Sequence, residues 1–171
     1  VAAVKVVVKE CVESILRNPA AMLWLARIKN SDHYTAEHSL RVSILSIALG
    51  KELGIPLYQL EQIGVCGMLH DVGKINKADY FVENQGNGEN RHINLSPSVS
   101  LLIIIGHVKD GIELAKEYNL PTSVHAFIQQ HHGTTLVEYF YHQACTRDAN
   151  EDQSAISEAQ YRYPGPKPRS K

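Results

Sequence analysis

Cysteine is scarce and scattered. The three present, Cys11, Cys66 and Cys145, are odd in number and show no Cys-x-x-Cys spacing. Neither a disulfide framework nor a zinc knuckle is indicated, and a reducing compartment fits. Net charge is nearly absent as well, since 17 Lys and Arg against 18 Asp and Glu leave −1. That balance offers no broad footprint for polymeric nucleic acid or for a membrane surface. No apolar run approaches the roughly 20 residues of a membrane span, and no signal peptide is visible. There is no internal repeat, and no convincing strand pattern after the first residues. The chain starts at Val1 and not at Met, which reads as a piece of something longer. Its 171 residues, 44% hydrophobic and 20% charged, predict one globular domain with a real core.

The punctuation that is present is helical. Val8, Val12, Ile15 and Leu16 predict a helix from about residue 4. Asn18-Pro19 breaks and restarts it, giving a short apolar helix over 20–28. Caps at Asn30, Ser31 and Asp32 precede a third helix over 34–53, with Leu40, Ile44, Ile47 and Ala48 as its buried stripe and Gly54 as its end. Pro56 opens the next, over 57–69. Residues 76–94 read as a long polar loop, of the kind that is functional or mobile. Ser96-Pro97 starts a helix running to Tyr118, with the apolar stretch 101–105 as core. Helices over 123–132 and 136–144 follow, then a flexible acidic linker over 146–162 and an extended segment from Tyr163 to Pro168. The predicted class is all-α.

Against this background, nine histidines are unusual for a domain of this size. His70 and Asp71 follow an amphipathic helix and precede Gly73 and Lys74; His131 and His132 close another helix and precede Gly133. Neighbours on a helix point about 100° apart, so each pair converges on one site only where its helix ends. His38 lies early on one helix and His107 directly after an apolar stretch of another. Taken singly, each is more often a hydrogen-bonded core histidine than a ligand. Together they change the odds, because burying several unpaired imidazoles is costly and a shared metal centre satisfies them all. Five His and one Asp exceed what one tetrahedral zinc takes; they suit two six-coordinate divalent metals with Asp71 as bridge, iron or manganese in preference to zinc. His33, His92, His125 and His142 read as ordinary or supporting residues.

This order resembles the HD superfamily of metal-dependent phosphohydrolases, over roughly residues 30–171. Tyr34-Thr-Ala-Glu-His38-Ser-Leu-Arg-Val42 and His70-Asp-Val-Gly-Lys74 resemble HD-GYP domains, which hydrolyse cyclic di-GMP. From about Ala78 the resemblance changes, and the HD-GYP signature after the double His is absent. Tyr80-Phe-Val-Glu-Asn-Gln85, Asn94-Leu-Ser-Pro-Ser98, Gly106-His-Val-Lys-Asp-Gly111, Gln130-His-His-Gly-Thr134, Tyr139-Phe-Tyr-His142 and Tyr163-Pro-Gly-Pro-Lys-Pro168 look like the seven-transmembrane HD phosphodiesterases. Those hydrolyse cyclic di-AMP to the linear dinucleotide in a cytoplasmic catalytic domain.

The resemblance implies an HD helical bundle with its metal centre between helices. It gives His38, His70 and Asp71 to a first metal, and Asp71, His107, His131 and His132 to a second. Both subfamilies supply a further metal-binding Asp from a later helix; here that helix, and so part of the bundle, is expected beyond Lys171, since Asp148 and Asp152 are poor substitutes. Two cations sharing Asp71 would make a bridging hydroxide available at neutral pH and neutralise charge at phosphorus. Asp71 and Lys74 are thus the expected catalytic residues, with Lys74 against a non-bridging oxygen and Arg41 as a second, weaker phosphate contact. Tyr139 and Tyr141 read as core aromatics before base-stacking ones. The expected function is a cyclic dinucleotide phosphodiesterase, with cyclic di-AMP favoured. The alternatives are cyclic di-GMP hydrolysis, or a non-catalytic metal- or nucleotide-binding regulatory module.

Overall fold

The structure, a computed structural model, describes residues 2–17, 34–85, 90–148 and 156–169. The helix expected over 20–28, the caps at 30–32 and His33 lie outside these. Helix α1 spans Ala2–Arg17, α2 Tyr34–Glu52 and α3 Leu57–Leu69. A 3-10 segment, Val72–Tyr80, kinks at Lys77 and is followed by a single 3-10 turn, Val82–Asn84. Helix α4 spans Pro97–Glu117, α5 Thr122–Gln130 and α6 Glu138–Asp148, and a last 3-10 turn covers Glu158–Tyr161. The class is all-α: the described residues carry no strand beyond one isolated bridge, Leu136 with Arg162. None of their helices is long and apolar enough to cross a membrane.

The helices begin and end where their local chemistry directs. Ser96 caps α4 by accepting from the Val99 N–H at 3.3 Å, with Pro97 next in the first turn, a cap contributing about 1 kcal/mol. Gly54 (φ 73°) closes α2 as expected. Among the described residues the bundle holds two cores. In the larger one, α1 lies across α2 and α3 through Val8, Val12 and Ile15, which meet Ile44, Ile47 and Leu60, while Ile128 of α5 closes it from the other side. Each such aliphatic side chain stabilises the fold by about 1.5–3 kcal/mol through burial. Leu101 of α4, Phe140 and Ala144 of α6, and Tyr161 form the smaller core.

Four expectations are corrected. Residues 76–94 are not a structureless loop, because 3-10 turns order 72–84; residues 86–89 lie outside the described set. Of the stretch 101–105 only Leu101 is fully buried, and Leu102 is exposed, since α4 packs through one face and not all round. Helix α6 starts at Glu138, two residues late, because Thr135 and Val137 are bonded across to the later segment: Tyr163 N–H donates to Thr135 O (2.9 Å) and Val137 N–H to Tyr161 O (2.8 Å). The acidic stretch 146–162 is not a linker throughout. Helix α6 continues to Asp148, and Tyr161, 4% exposed, is packed in the smaller core with its hydroxyl 3.0 Å from Ser98 Oγ. Residues 149–155, Asp152 among them, lie outside the described set.

Candidate metal centre

Three chain features bring the polar residues to one place. Helix α3 stops at Leu69, and Asp71 leaves helical geometry (φ −104°, ψ 15°), so the adjacent His70 and Asp71 both turn inward and both are buried. Gly73 is not itself the end of this helix, which closes at Leu69. It lies in the 3-10 segment, where a Cβ would sit 1.9 Å from the His107 carbonyl oxygen and 2.4 Å from Gly111 N. Having no side chain, it lets the His70-Asp71 turn rest directly on α4, which delivers His107 from mid-helix, 2% exposed. Helix α5 stops at Gln130, and Gly133 takes the left-handed conformation (φ 54°) that few other residues adopt, turning His131 and His132 back toward Asp71. His38 comes from the first turns of α2 and is partly exposed, its side chain at 39%.

Asp71 divides the histidines between its two oxygens. Oδ2 faces Lys74 Nζ at 2.9 Å, His70 Nε2 at 3.1 Å and His38 Nε2 at 3.7 Å. Oδ1 faces His107 Nε2 and His131 Nε2, each at 3.3 Å. Two groups have donor atoms that all lie within 4.8 Å of one another: His38, His70 and Asp71, and Asp71, His107, His131 and His132. All six residues expected to hold metal are therefore gathered at one point, with Asp71 common to both groups.

The arrangement is electrostatically incomplete as protein alone. Nδ1 of His70, His107 and His131 contacts the carbonyl three residues earlier, on Gly67 (2.8 Å), Ile104 (2.6 Å) and Ile128 (2.8 Å). A carbonyl only accepts, so each Nδ1 carries a proton, and in the neutral form of each ring the Nε2 lone pair points inward. His107 Nε2 and His131 Nε2 stand 3.4 Å apart, and the buried Asp71 Oδ1 has no well-directed donor. Lone pairs and an anionic oxygen facing one another out of water are costly unless a cation lies among them. Imidazole Nε2 plus a shared carboxylate, with the far ring nitrogens tied to backbone carbonyls, is a donor set for divalent transition metals. The residues present fit the group.

The titration behaviour agrees. Burial alone would raise the Asp71 carboxyl, but His131, His70 and Lys74 outweigh it and hold it well below the usual carboxylate range. Burial pushes His107 down against the opposing pull of the Ile104 carbonyl and Asp71. Burial, then repulsion from His131 and His107 toward a further positive charge, takes His132 to about 3. Both rings are thus neutral, with lone pairs to offer, at neutral pH.

Beside the centre opens a cavity of about 540 Å³, with Lys74, His107 and His132 among its lining residues and Phe81, Tyr139, Phe140 and Tyr163 forming much of its apolar wall. Lys74 reaches Asp71 while its ammonium lies 5.2 Å from the centre of the Phe81 ring. Arg41 does not line the cavity; it pairs with Glu37 at 3.0 Å, one turn along α2. Tyr139 is not a core aromatic but 63% exposed, whereas Tyr141 packs against the smaller core. His125 is half-buried and His142 exposed. His92 is buried in the cavity wall, its Nε2–H donating to Tyr80 O at 2.8 Å. Sequence reasoning missed Phe81, whose ring meets His107 edge-on at 5.7 Å, and Tyr163, stacked on His132. Both stand in motifs noted for resemblance, but nothing local marks them as neighbours of the histidines.

The fold and this centre define the class: the chain belongs to the HD domain family, whose model matches residues 35–163. It is 38% identical over 163 residues to the cyclic-di-AMP phosphodiesterase PgpH of Bacillus subtilis (strain 168), which covers 91% of this chain and 21% of that protein. Over 79 residues it is 42% identical to the cyclic di-GMP phosphodiesterase PA4108 of Pseudomonas aeruginosa, covering 46% of this chain and 19% of that protein. The chain thus spans about a fifth of the length of these curated relatives. The crystal structure of the L. monocytogenes phosphodiesterase PgpH HD domain in complex with cyclic-di-AMP superposes with a TM-score of 0.70 at 35% identity, covering 92% of this chain and 64% of that one.

Proposed function

We propose that this domain is a metal-dependent phosphodiesterase that hydrolyses a cyclic dinucleotide, cyclic di-AMP in preference, to the linear dinucleotide. One observation carries the reading: the single carboxylate of Asp71 faces His38 and His70 with one oxygen, and His107 and His131 with the other. That division supports two divalent ions, iron or manganese, sharing Asp71. His38 and His70 would complete the first site, and His107, His131 and His132 the second. When bound, the two ions would supply a water acidic enough to act as nucleophile at neutral pH and would offset charge growing on the phosphoryl oxygens.

The chain's own residues do the rest. Lys74, fixed by Asp71 at 2.9 Å and by its position over Phe81, holds a positive charge at the cavity floor where a non-bridging phosphate oxygen would lie. Arg41, braced by Glu37, is the weaker phosphate contact on the His38 side. Phe81 and Phe140 keep that floor dry, which strengthens every charge interaction there. Tyr139, exposed at the cavity wall, offers a ring on which a base can stack. Preference for cyclic di-AMP draws on the likeness to PgpH along nine-tenths of the chain and to a PgpH HD domain bound to that nucleotide. The resemblance to the seven-transmembrane HD phosphodiesterases favours a cytoplasmic place for this chemistry.

The second reading, cyclic di-GMP as substrate, draws on the shorter match to the P. aeruginosa enzyme. Anaerobically purified protein, analysed for metal and assayed with both nucleotides and added manganese, separates them. Two metals per chain with faster cleavage of cyclic di-AMP is the expected result. Faster cleavage of cyclic di-GMP overturns the base preference, metal without cleavage supports a regulatory module, and no bound metal overturns the reading as a whole.

A further inference from the structure

Three histidines of the centre share one orienting device. His70, His107 and His131 each tie Nδ1 to the carbonyl three residues earlier, which fixes the ring plane and aims Nε2 at Asp71. His132 lacks it: among the described residues no carbonyl is bonded to either of its ring nitrogens. Its ring lies face to face with Tyr163 instead, centroids 4.1 Å apart and planes 11° from parallel.

Tyr163 is itself held firmly. It is 8% exposed. Its N–H donates to Thr135 O at 2.9 Å, and the adjacent Arg162 donates to Thr134 O at 2.9 Å. Further on, Pro168 comes so near Gly133 that a Cβ there would lie 3.2 Å from its ring. The segment from Tyr161 to Pro168 therefore wraps the same turn that presents His131 and His132. A flat ring at 4.1 Å leaves the imidazole no room to rotate about its χ2 bond, since turning it edge-on would drive it into the tyrosine.

We infer that Tyr163 is a positioning residue for His132, its stacked ring replacing the carbonyl bond that orients the other three histidines. This rests on the reading of His132 as a metal donor. It makes the Tyr163-Pro-Gly-Pro segment part of one metal site, the one shared by Asp71, His107, His131 and His132, and gives it no part in the His38–His70 site.

The test is titration of the metal-free protein with Mn²⁺ alone, following free Mn²⁺ by electron paramagnetic resonance. Wild type and Tyr163→Phe, which keeps the stack, are expected to bind two ions with matching affinities. Tyr163→Leu is expected to weaken one site by about tenfold or more, the size of effect seen when a group supporting a metal ligand is removed, and to leave the other unchanged. In a His132→Gln background the same substitution should add no further loss. Equal weakening of both sites, an undiminished loss in the His132→Gln background, or no loss at all overturns the inference. Should Tyr163→Leu lose its cooperative melt, Tyr163→Met, unbranched and without a planar face, carries the test; loss of the melt in both makes Tyr163 purely structural and overturns its positioning role. Wild type that binds no Mn²⁺ overturns the proposed function itself, a result distinct from all of these.

Discussion

Gly73 rests on the backbone of His107 so closely that a methyl group at its Cα would lie 1.9 Å from the His107 carbonyl oxygen. Gly111, one turn further along α4, faces it, with Gly73 N 3.3 Å from where its own Cβ would be. The obstacle at Gly73 is main chain on both counts, so no side-chain rotation relieves it. Gly73→Ala is expected to destabilise the fold by about 3 kcal/mol and to move the His70-Asp71 turn off α4, weakening metal binding at both sites. Thermal melts with metal titration check this; an unchanged melting temperature would mean the close approach is not there.

Gly73 also shows where sequence reading stops. A glycine after His70-Asp71 suggests a helix end, because that is the local use of glycine. Its actual use, letting two segments 34 residues apart touch, has no local signature. The six candidate ligands were legible for the opposite reason. Histidine and aspartate at two helix ends and beside apolar stretches conflict with burial unless they meet, and the structure brings all six together. Tyr161 marks the limit of compositional argument. An acidic, polar stretch reads as flexible on average, yet one tyrosine with a buried ring and a hydroxyl near Ser98 pins its far end. Phe81 and Tyr163 reach the histidines only through tertiary packing, so no spacing rule could have found them.

The depressed titration of His132 sets a pH dependence for the metal-free protein. Its ordinary value of 6.5 falls to about 3 on folding, first through burial and then through His131 and His107. Between those values the unfolded chain binds a proton that the folded chain refuses, so stability rises with pH there and is lost as pH falls below about 6.5. Asp71, also depressed, adds stability that is present above its ordinary 3.8 and is lost only at still lower pH. Melting temperature measured without metal is therefore expected to fall from pH 7 to pH 5, and His132→Gln should flatten that slope. An equal slope in both proteins would remove His132 as its source.

Tyr139 tests the cavity separately from the metals. It is 63% exposed and touches Phe140 edge-on at 5.1 Å, so truncating it should alter stability by no more than about 0.5 kcal/mol. Stacking of a base on an aromatic ring is worth about 1–3 kcal/mol, so Tyr139→Ala is expected to raise KM for cyclic di-AMP roughly fivefold to hundredfold, with metal content unchanged. Steady-state kinetics at saturating manganese measure this. A fall in kcat with KM unaltered would mean that the base binds elsewhere.

The two donor groups differ in size, and that difference makes the assignment of two metals testable. His38, His70 and Asp71 supply three side chains; Asp71, His107, His131 and His132 supply four. His38 is also partly exposed, its side chain at 39%, and stands 3.7 Å from Asp71, farther than His70 at 3.1 Å. The three-residue site should therefore be the weaker and the first emptied by a chelator. His38→Ala is expected to lower metal content from two ions per chain to one. His107→Ala should also remove one ion, this time from the tighter site, while the Asp71 carboxylate stays in place for the other. Asp71→Asn should reduce both, because the amide keeps the shape but loses the anionic oxygens that the two groups share. Inductively coupled plasma mass spectrometry on the three variants, each confirmed as folded by circular dichroism, decides the matter. If His107→Ala retained both ions, His107 would hold neither of them and the four-residue site would be wrongly assigned; if His38→Ala and His107→Ala emptied the same site, one centre and not two would be built around Asp71.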